Sequence, residues 1–213
     1  MSTGTAQTLV TGMLIEAGAF WQHSGNPSDP HAELTSGKCS DGFVNVLNLL
    51  CDPQKTKKIA EYLAFLLSKH YTGRVDWVVG SDHAAATLSY AVAYELRAKH
   101  DFTEKGPDGI QVWKRFTIRP DEYVLQVEEL VTTNKTAMAV KTGIKNAHEY
   151  EINFVPAVLT VVDRSGSDEI DGAKLLCLAN YDINIWDPSE CPLCKQGSKR
   201  LRPKVNWAEL TGR

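Results

Sequence analysis

A chain of 213 residues with 43% hydrophobic and 23% charged residues holds enough apolar material for one compact core and is too short for several large domains. A formal net charge of −3 argues against a broad nucleic-acid-binding face, although a few cations and backbone amides suffice for one small anion. The longest strongly apolar run, residues 155–162, is too short to span a bilayer, no basic segment precedes an apolar one near Met1, and five irregularly spaced cysteines make no secreted disulfide framework, so a cytoplasmic protein is expected.

In chain order, residues 23–41 are rich in Ser, Gly, Pro and Asp and read as a loop after an N-terminal helical piece. Asp52 is placed to cap a helix with Pro53 at its first position, and Ile59, Tyr62, Leu63, Leu66 and Leu67 make one apolar face. Residues 75–79 read as a strand ending at Gly80, and 84–99 as a helix with Leu88, Val92 and Leu96 on one stripe. Residues 101–120 are polar, contain Gly106-Pro107-Asp108-Gly109, and predict a mobile loop or hairpin. Residues 123–127 then predict a strand, 135–147 a helix packing Ala137, Val140, Ile144 and Ala147, 155–162 a second buried strand, and 174–186 one or two more.

Alternating strands and helices with near-continuous apolar strands imply an α/β fold: an open, mostly parallel sheet with helices on both faces. Ligands bind such sheets beyond the carboxyl ends of the strands. That rule singles out Ser81, Asp82 and His83, then residues 128–136, then Asp163 and Arg164, each group directly after a strand. Among these, residues 124–136 are the most informative: an apolar strand runs into Glu128 and Glu129, then Leu130 and Val131, then Thr132, Thr133, Asn134, Lys135 and Thr136 at the start of a helix. Amides at a helix N-terminus, helped by Thr hydroxyls, hold a phosphate monoester, and two carboxylates just upstream accept hydrogen bonds from a ribose diol beside a magnesium–diphosphate group. The plainer reading makes Thr132 or Thr133 an ordinary N-cap, which accounts for neither the acids nor the strand.

This run resembles the fingerprint of the type I phosphoribosyltransferases, in which an apolar strand precedes two acids, two aliphatics and a Thr-Thr-Gly-Gly-Thr/Ser turn. Glu129 stands where Asp is usual, and Asn134 and Lys135 stand where glycines are usual; Asn tolerates left-handed backbone, and Lys135 adds a cation beside the phosphate. Other segments are similar to the orotate branch. Residues 34–45, including Lys38, resemble the element those enzymes place over base and sugar. Residues 80–85 occupy the diphosphate-loop position without its usual glycines and lysine, leaving the contact to backbone amides, with His83 either a ligand contact or a solvated loop residue. Lys105 matches the cationic catalytic loop, or is a solvated lysine; Glu104 replaces an arginine often found there. Asp163-Arg164 matches the pair whose arginine meets the base and its carboxylate, though Arg164 also has Asp163 and Asp168 as ion-pair candidates.

The resemblance implies one domain over residues 1–213, with a core of about 53–165 and a small hood from about 1–50 and 166–213. It implies magnesium-dependent transfer of a phosphoribosyl group from phosphoribosyl diphosphate to a nucleobase, orotate foremost, giving a nucleoside 5′-monophosphate and diphosphate. Lys105, Glu128 and Glu129 would be catalytic, residues 101–120 a lid, and the assembly a homodimer. A non-catalytic regulatory protein of the same fold, or a transferase for another base, is the alternative. Finally, Cys191 and Cys194 form a Cys-x-x-Cys pair able to hold one side of a zinc site, or a turn with two free thiols; Cys39, Cys51 and Cys177 stand apart in sequence.

Overall fold

The computed structural model describes residues 3–212; Met1, Ser2 and Arg213 lie outside it. Helix α1 (Thr3–Glu16) buries Val10 and Leu14 completely. Residues 23–41, expected as loop, hold two short strands, β2 (His31–Glu33) and β3 (Cys39–Ser40), between β1 (Phe20–Gln22) and β4 (Gly42–Val44). A single turn, α2 (Leu47–Leu50), leads to α3 (Pro53–Ser68). The expected cap is present, since the Asp52 carboxylate accepts from Gln54 N at 2.9 Å and Lys55 N at 3.3 Å with Pro53 in the first turn. Ile59, Leu63 and Leu67 are buried, with Tyr62 and Leu66 packed beside them.

Strand β5 (Trp77–Gly80) feeds α4 (Ala84–Leu96). The helix stops three residues earlier than its apolar pattern predicts, because Arg97 turns left-handed at φ 55° and Lys99 already begins β6 (Lys99–Phe102), hydrogen-bonded parallel to β5. A hairpin follows, β7 (Glu104–Lys105) and β8 (Gln111–Val112), closed by one 3-10 turn at Pro107–Gly109. The rest of the segment expected as mobile loop or hairpin is exposed but anchored at two points: Trp113 and Ile118 are buried, Trp113 stacks edge-on against Trp77 at 5.8 Å, and the Ile118 backbone is held by His148 at 3.0 Å and Tyr150 at 2.6 Å. Polar composition hid this, because the anchoring residues are single aromatics and aliphatics with no repeating period.

Strand β9 (Tyr123–Val131) precedes α5 (Lys135–Asn146) and β10 (Asn153–Asp163); then come β11 (Glu169–Ile170), β12 (Ala173–Asn180), β13 (Ile185–Trp186), α6 (Pro192–Lys195), β14 (Arg200–Leu201) and α7 (Trp207–Thr211). The main sheet has the order β11-β12-β10-β9-β5-β6, parallel throughout except for β11. One face packs on α1, α3 and α4 around Leu63, Leu88, Leu125 and Leu159; the other packs on α5 through Val124, Val140 and Ile144. Helices thus cover both faces, as expected of near-continuous apolar strands. A second sheet, β13-β3-β2-β14, is assembled from both ends of the chain. Among the described residues no helix is long and apolar enough to cross a membrane.

Candidate active site

Gly80, Phe102, Val131 and Asp163 end parallel strands on one edge of the sheet, and the residues after them form a common rim. Strand β9 runs four residues beyond its expected end, so both acids belong to the strand rather than to a loop. Backbone pairing with β10, Glu128 opposite Thr160, therefore fixes their position. Glu128 is only 2% exposed: Ser81 Oγ donates to one carboxylate oxygen at 2.9 Å and Gln126 Nε2 to the other at 3.3 Å, while the same Gln126 amide donates to the Ala137 carbonyl at 2.8 Å. Burial, with the charges of Glu129 and Asp82, pushes the Glu128 carboxyl up to about 8 despite those hydrogen bonds. Half-buried Glu129 is also raised, by desolvation first and by Asp82 after it.

The turn after β9 leaves its amides available. Asn134 is the N-cap of α5 and makes no side-chain capping bond; Thr132 and Thr133 are exposed and are not caps, nor are Lys135 and Thr136 buried. Uncapped first-turn amides at a helix N-terminus are ready donors to an anion. Asn134 has φ −72°, so the turn uses no left-handed residue here and does not need the usual glycine freedom. Its Nδ2 donates to the Glu169 carbonyl at 3.4 Å, while its Oδ1 is buried without a partner.

Helix α4 likewise starts uncapped, at His83 with φ 63° and ψ −114°. A non-glycine residue held there stores backbone strain of the kind found at ligand-binding turns. The His83 ring is exposed and reaches Asp82 at 3.1 Å; Asp82 faces Gln111 Nε2 at 3.5 Å, and Gln111 accepts from Thr103 Oγ1 at 2.7 Å. Hairpin β7–β8 is thereby tied to the rim.

Arg164 follows β10, with its N–H on the Val131 carbonyl at 2.8 Å. Neither expected carboxylate pairs with it. Asp163 instead accepts from Ser165 N and Oγ (2.8 and 2.7 Å) and from Asn180 Nδ2 (2.7 Å), leaving the Arg164 Nε buried and unpartnered. Desolvation lowers the Arg164 pKa, opposed by Asp41. On the hairpin, Lys114 and Arg115 are both taken up by Glu104, and Arg115 also by Asp101 at 3.3 Å. The Lys105 ammonium is exposed and has no ion-pair partner among the described residues. Lys38 pairs with Asp187 at 3.4 Å in the second sheet, with both side chains exposed, and does not touch the β9 acids.

Curated proteins match over more than four fifths of the chain. The orotate phosphoribosyltransferase of Thermotoga maritima is 35% identical over 182 residues, covering 85% of this chain and 94% of that protein; that of Heliobacterium modesticaldum is 31% identical over 173 residues, covering 81% and 88%. The chain belongs to the orotate phosphoribosyltransferase family. No family model matches it. Among solved structures, the orotate phosphoribosyltransferase from Aeropyrum pernix superposes with a TM-score of 0.57 at 17% identity (80% of this chain, 93% of that one), and a phosphoribosyltransferase from Corynebacterium diphtheriae with 0.61 at 19% (83% and 96%). These likenesses establish the type I phosphoribosyltransferase fold.

In this orotate phosphoribosyltransferase-family chain the structure joins Ser81 and Asp82 to the β9 acids, and sets Arg164 beside the same strand. Ser81 offers its hydroxyl to Glu128 rather than to open solvent. Sequence reading missed Gln126 and Gln111. A glutamine two positions before an acid in an otherwise apolar strand was a usable signal, because a buried amide must find partners. Gln111 offered none, since its role depends on how the hairpin folds back onto Asp82.

Proposed function

We propose that this chain transfers the phosphoribosyl group of phosphoribosyl diphosphate to orotate, releasing diphosphate, in the cytoplasm and as a homodimer of single-domain protomers with the core and hood boundaries given above. The observation that carries this reading is the uncapped turn after one buried and one half-buried acid, in a chain of this family. Amides and hydroxyls of residues 132–136 hold the 5′-phosphate, with Lys135 adding charge. Glu129, the more accessible acid, accepts from the ribose diol, and Glu128 is held behind it by Ser81 and Gln126. The strained turn at Asp82 and His83 presents α4 amides to the diphosphate. Arg164, with its unpartnered guanidinium Nε, meets the orotate carboxylate.

Asp82 and Glu129 are the rim carboxylates that would hold a magnesium ion arriving with the diphosphate; hard oxygen donors suit that cation, and burial together with Asp82 raises the pKa of Glu129, as a carboxylate short of counter-charge requires. When bound, the cation supplies charge neutralisation for the diphosphate. Lys105, carried by the hairpin, closes over the leaving group and excludes water, and Lys38 comes with the hood. Attack by the base nitrogen at the anomeric carbon breaks the bond to diphosphate, and oriented charges rather than a covalent intermediate lower the barrier.

The test is a panel of pyrimidine and purine bases incubated with phosphoribosyl diphosphate and Mg²⁺ and read by diphosphate release. Turnover with orotate is expected. Tight binding of the sugar diphosphate without turnover on any base would overturn the transferase reading in favour of a regulatory binding protein; turnover on another base alone would move the acceptor.

A further inference from the structure

We propose that His31, Cys39, Cys191 and Cys194 form a structural zinc site that pins the second sheet together beneath the loop carrying Lys38. The inference rests on side-chain placement alone and is independent of the transfer reaction. His31 lies on β2, Cys39 on β3, and Cys191 and Cys194 at the start and within α6, so β3 and β2 supply the half of the ligand set that Cys-x-x-Cys lacks. The four donor atoms all lie within 4.8 Å of one another.

Three of the six donor–donor separations match the edges of a coordination tetrahedron. Zinc–sulfur bonds of about 2.3 Å and zinc–nitrogen bonds of about 2.0 Å give sulfur–sulfur edges of about 3.8 Å and sulfur–nitrogen edges of about 3.5 Å. Here Cys39 Sγ and Cys194 Sγ are 3.6 Å apart, and His31 Nε2 is 3.7 Å from Cys191 Sγ and 3.4 Å from Cys194 Sγ. A disulfide would need about 2.05 Å, and none of the thiols is bridged.

The surroundings also orient the donors. Ser198 has one hydroxyl proton and gives it to the Asp29 carbonyl at 2.6 Å, so toward His31 Nδ1, at 2.8 Å, its oxygen must accept. Nδ1 therefore carries the proton and Nε2 turns its lone pair to the sulfurs, the arrangement by which an outer partner fixes a metal-binding imidazole. The Cys194 N–H points at Cys191 Sγ at 3.5 Å, and Arg200 lies beside Cys39, where it would offset thiolate charge once an ion displaces the thiol protons. His31, Cys39 and Cys191 are fully buried, with Leu193 and Trp186 packed alongside, which leaves no open position for a substrate. Four protein donors of soft sulfur and imidazole type select zinc over the hard cations and give a closed structural site.

The fold supplies a reason for such a clamp. The sheet β13-β3-β2-β14 is made of strands two or three residues long, too short to be stable on their ladders alone. One ion would join donors some 155 to 163 residues apart, where chain closure is otherwise costly. His31 and Cys39 also flank residues 34–38, so the loop bearing Lys38 is held at both ends.

The experiment is elemental analysis of the intact protein, expressed with zinc and dialysed, together with cobalt replacement followed by visible absorption. One zinc per chain and the intense d–d bands of tetrahedral, thiolate-ligated cobalt are expected. Both should be lost in His31→Gln, Cys39→Ser and Cys194→Ser and kept in Cys51→Ser and Cys177→Ser. Should the ligand variants fail to fold, the Cys51→Ser/Cys177→Ser double variant titrated with an organomercurial should release its zinc to a chromogenic chelator as its three remaining thiols react, and thiols that react without releasing zinc would overturn the proposal. Absence of stoichiometric zinc and of a cobalt spectrum would overturn the proposal, as would a Cys39–Cys194 disulfide in non-reduced peptides or full metal retention in any ligand variant.

Discussion

Replacing Glu128 with Gln removes one ionisable group from the interior while keeping its shape and both hydrogen-bonding neighbours, Ser81 at 2.9 Å and Gln126 at 3.3 Å. In the folded, substrate-free chain the carboxyl is pushed from 4.5 up to about 8, by burial first and then by Glu129 and Asp82. Between those values the folded chain keeps a proton that the unfolded chain has released, so the wild type loses stability as pH rises through the window. Below the lower value both states are protonated and the penalty vanishes. At about 1.4 kcal/mol per tenfold difference in proton affinity, the ceiling is about 5 kcal/mol; relaxation and water entry around the ion reduce this to an expected 1–3 kcal/mol, roughly. Urea unfolding of both proteins without substrate, from about pH 4 to about pH 8.5, measures it. Glu128→Gln should be the more stable chain at the alkaline end, with the gap closing toward acid. A gap that is constant with pH, or that reverses in sign, would refute the assignment of a buried, proton-retaining carboxyl.

The remaining predictions concern the rim and the hairpin. Replacing both Glu128 and Glu129 with Ala should cut turnover at least about 100-fold with the circular dichroism unchanged, and near-normal turnover would remove the acids from the site. Lys105→Ala should lower kcat by about 100-fold, whereas Lys114→Ala, whose ammonium Glu104 already holds, should change it far less; equal effects contradict the assignment. Arg164→Ala should raise KM for orotate by about 10-fold or more while leaving phosphoribosyl diphosphate binding intact, measured by calorimetry of the sugar diphosphate alone. Gly143→Ala should destabilise the fold by about 1–3 kcal/mol in urea melts, because the new methyl would clash with the Gln111 carbonyl oxygen; a gain in stability, the usual result for glycine in an open helix, would show that the hairpin yields freely.

How much of this was legible follows from the range of each interaction. The Asp52 cap, the α3 and α5 faces, the parallel core and the strand–acid–acid–threonine–helix order all express contacts between residues a few positions apart, so composition and period reveal them. The ends of α4 and β9 were misplaced because hydrogen bonds to neighbouring strands, absent from any local pattern, decide where those elements stop. Residues 113–118 were misread because two isolated side chains, Trp113 and Ile118, anchor a segment that is otherwise polar. Cys-x-x-Cys by itself left zinc and free thiols open, and Cys39 looked isolated, since its neighbours in space are some 155 residues away. The sequence alone therefore determined the family, the parallel sheet and the strand-to-helix turn after the two acids, all of which rest on short-range chemistry. Tertiary structure alone decided that Glu128 lies buried between Ser81 and Gln126, that Lys105 makes no ion pair among the described residues whereas Glu104 takes up Lys114 and Arg115, and that one histidine and three thiols meet, because each of these depends on packing between segments that no local pattern encodes.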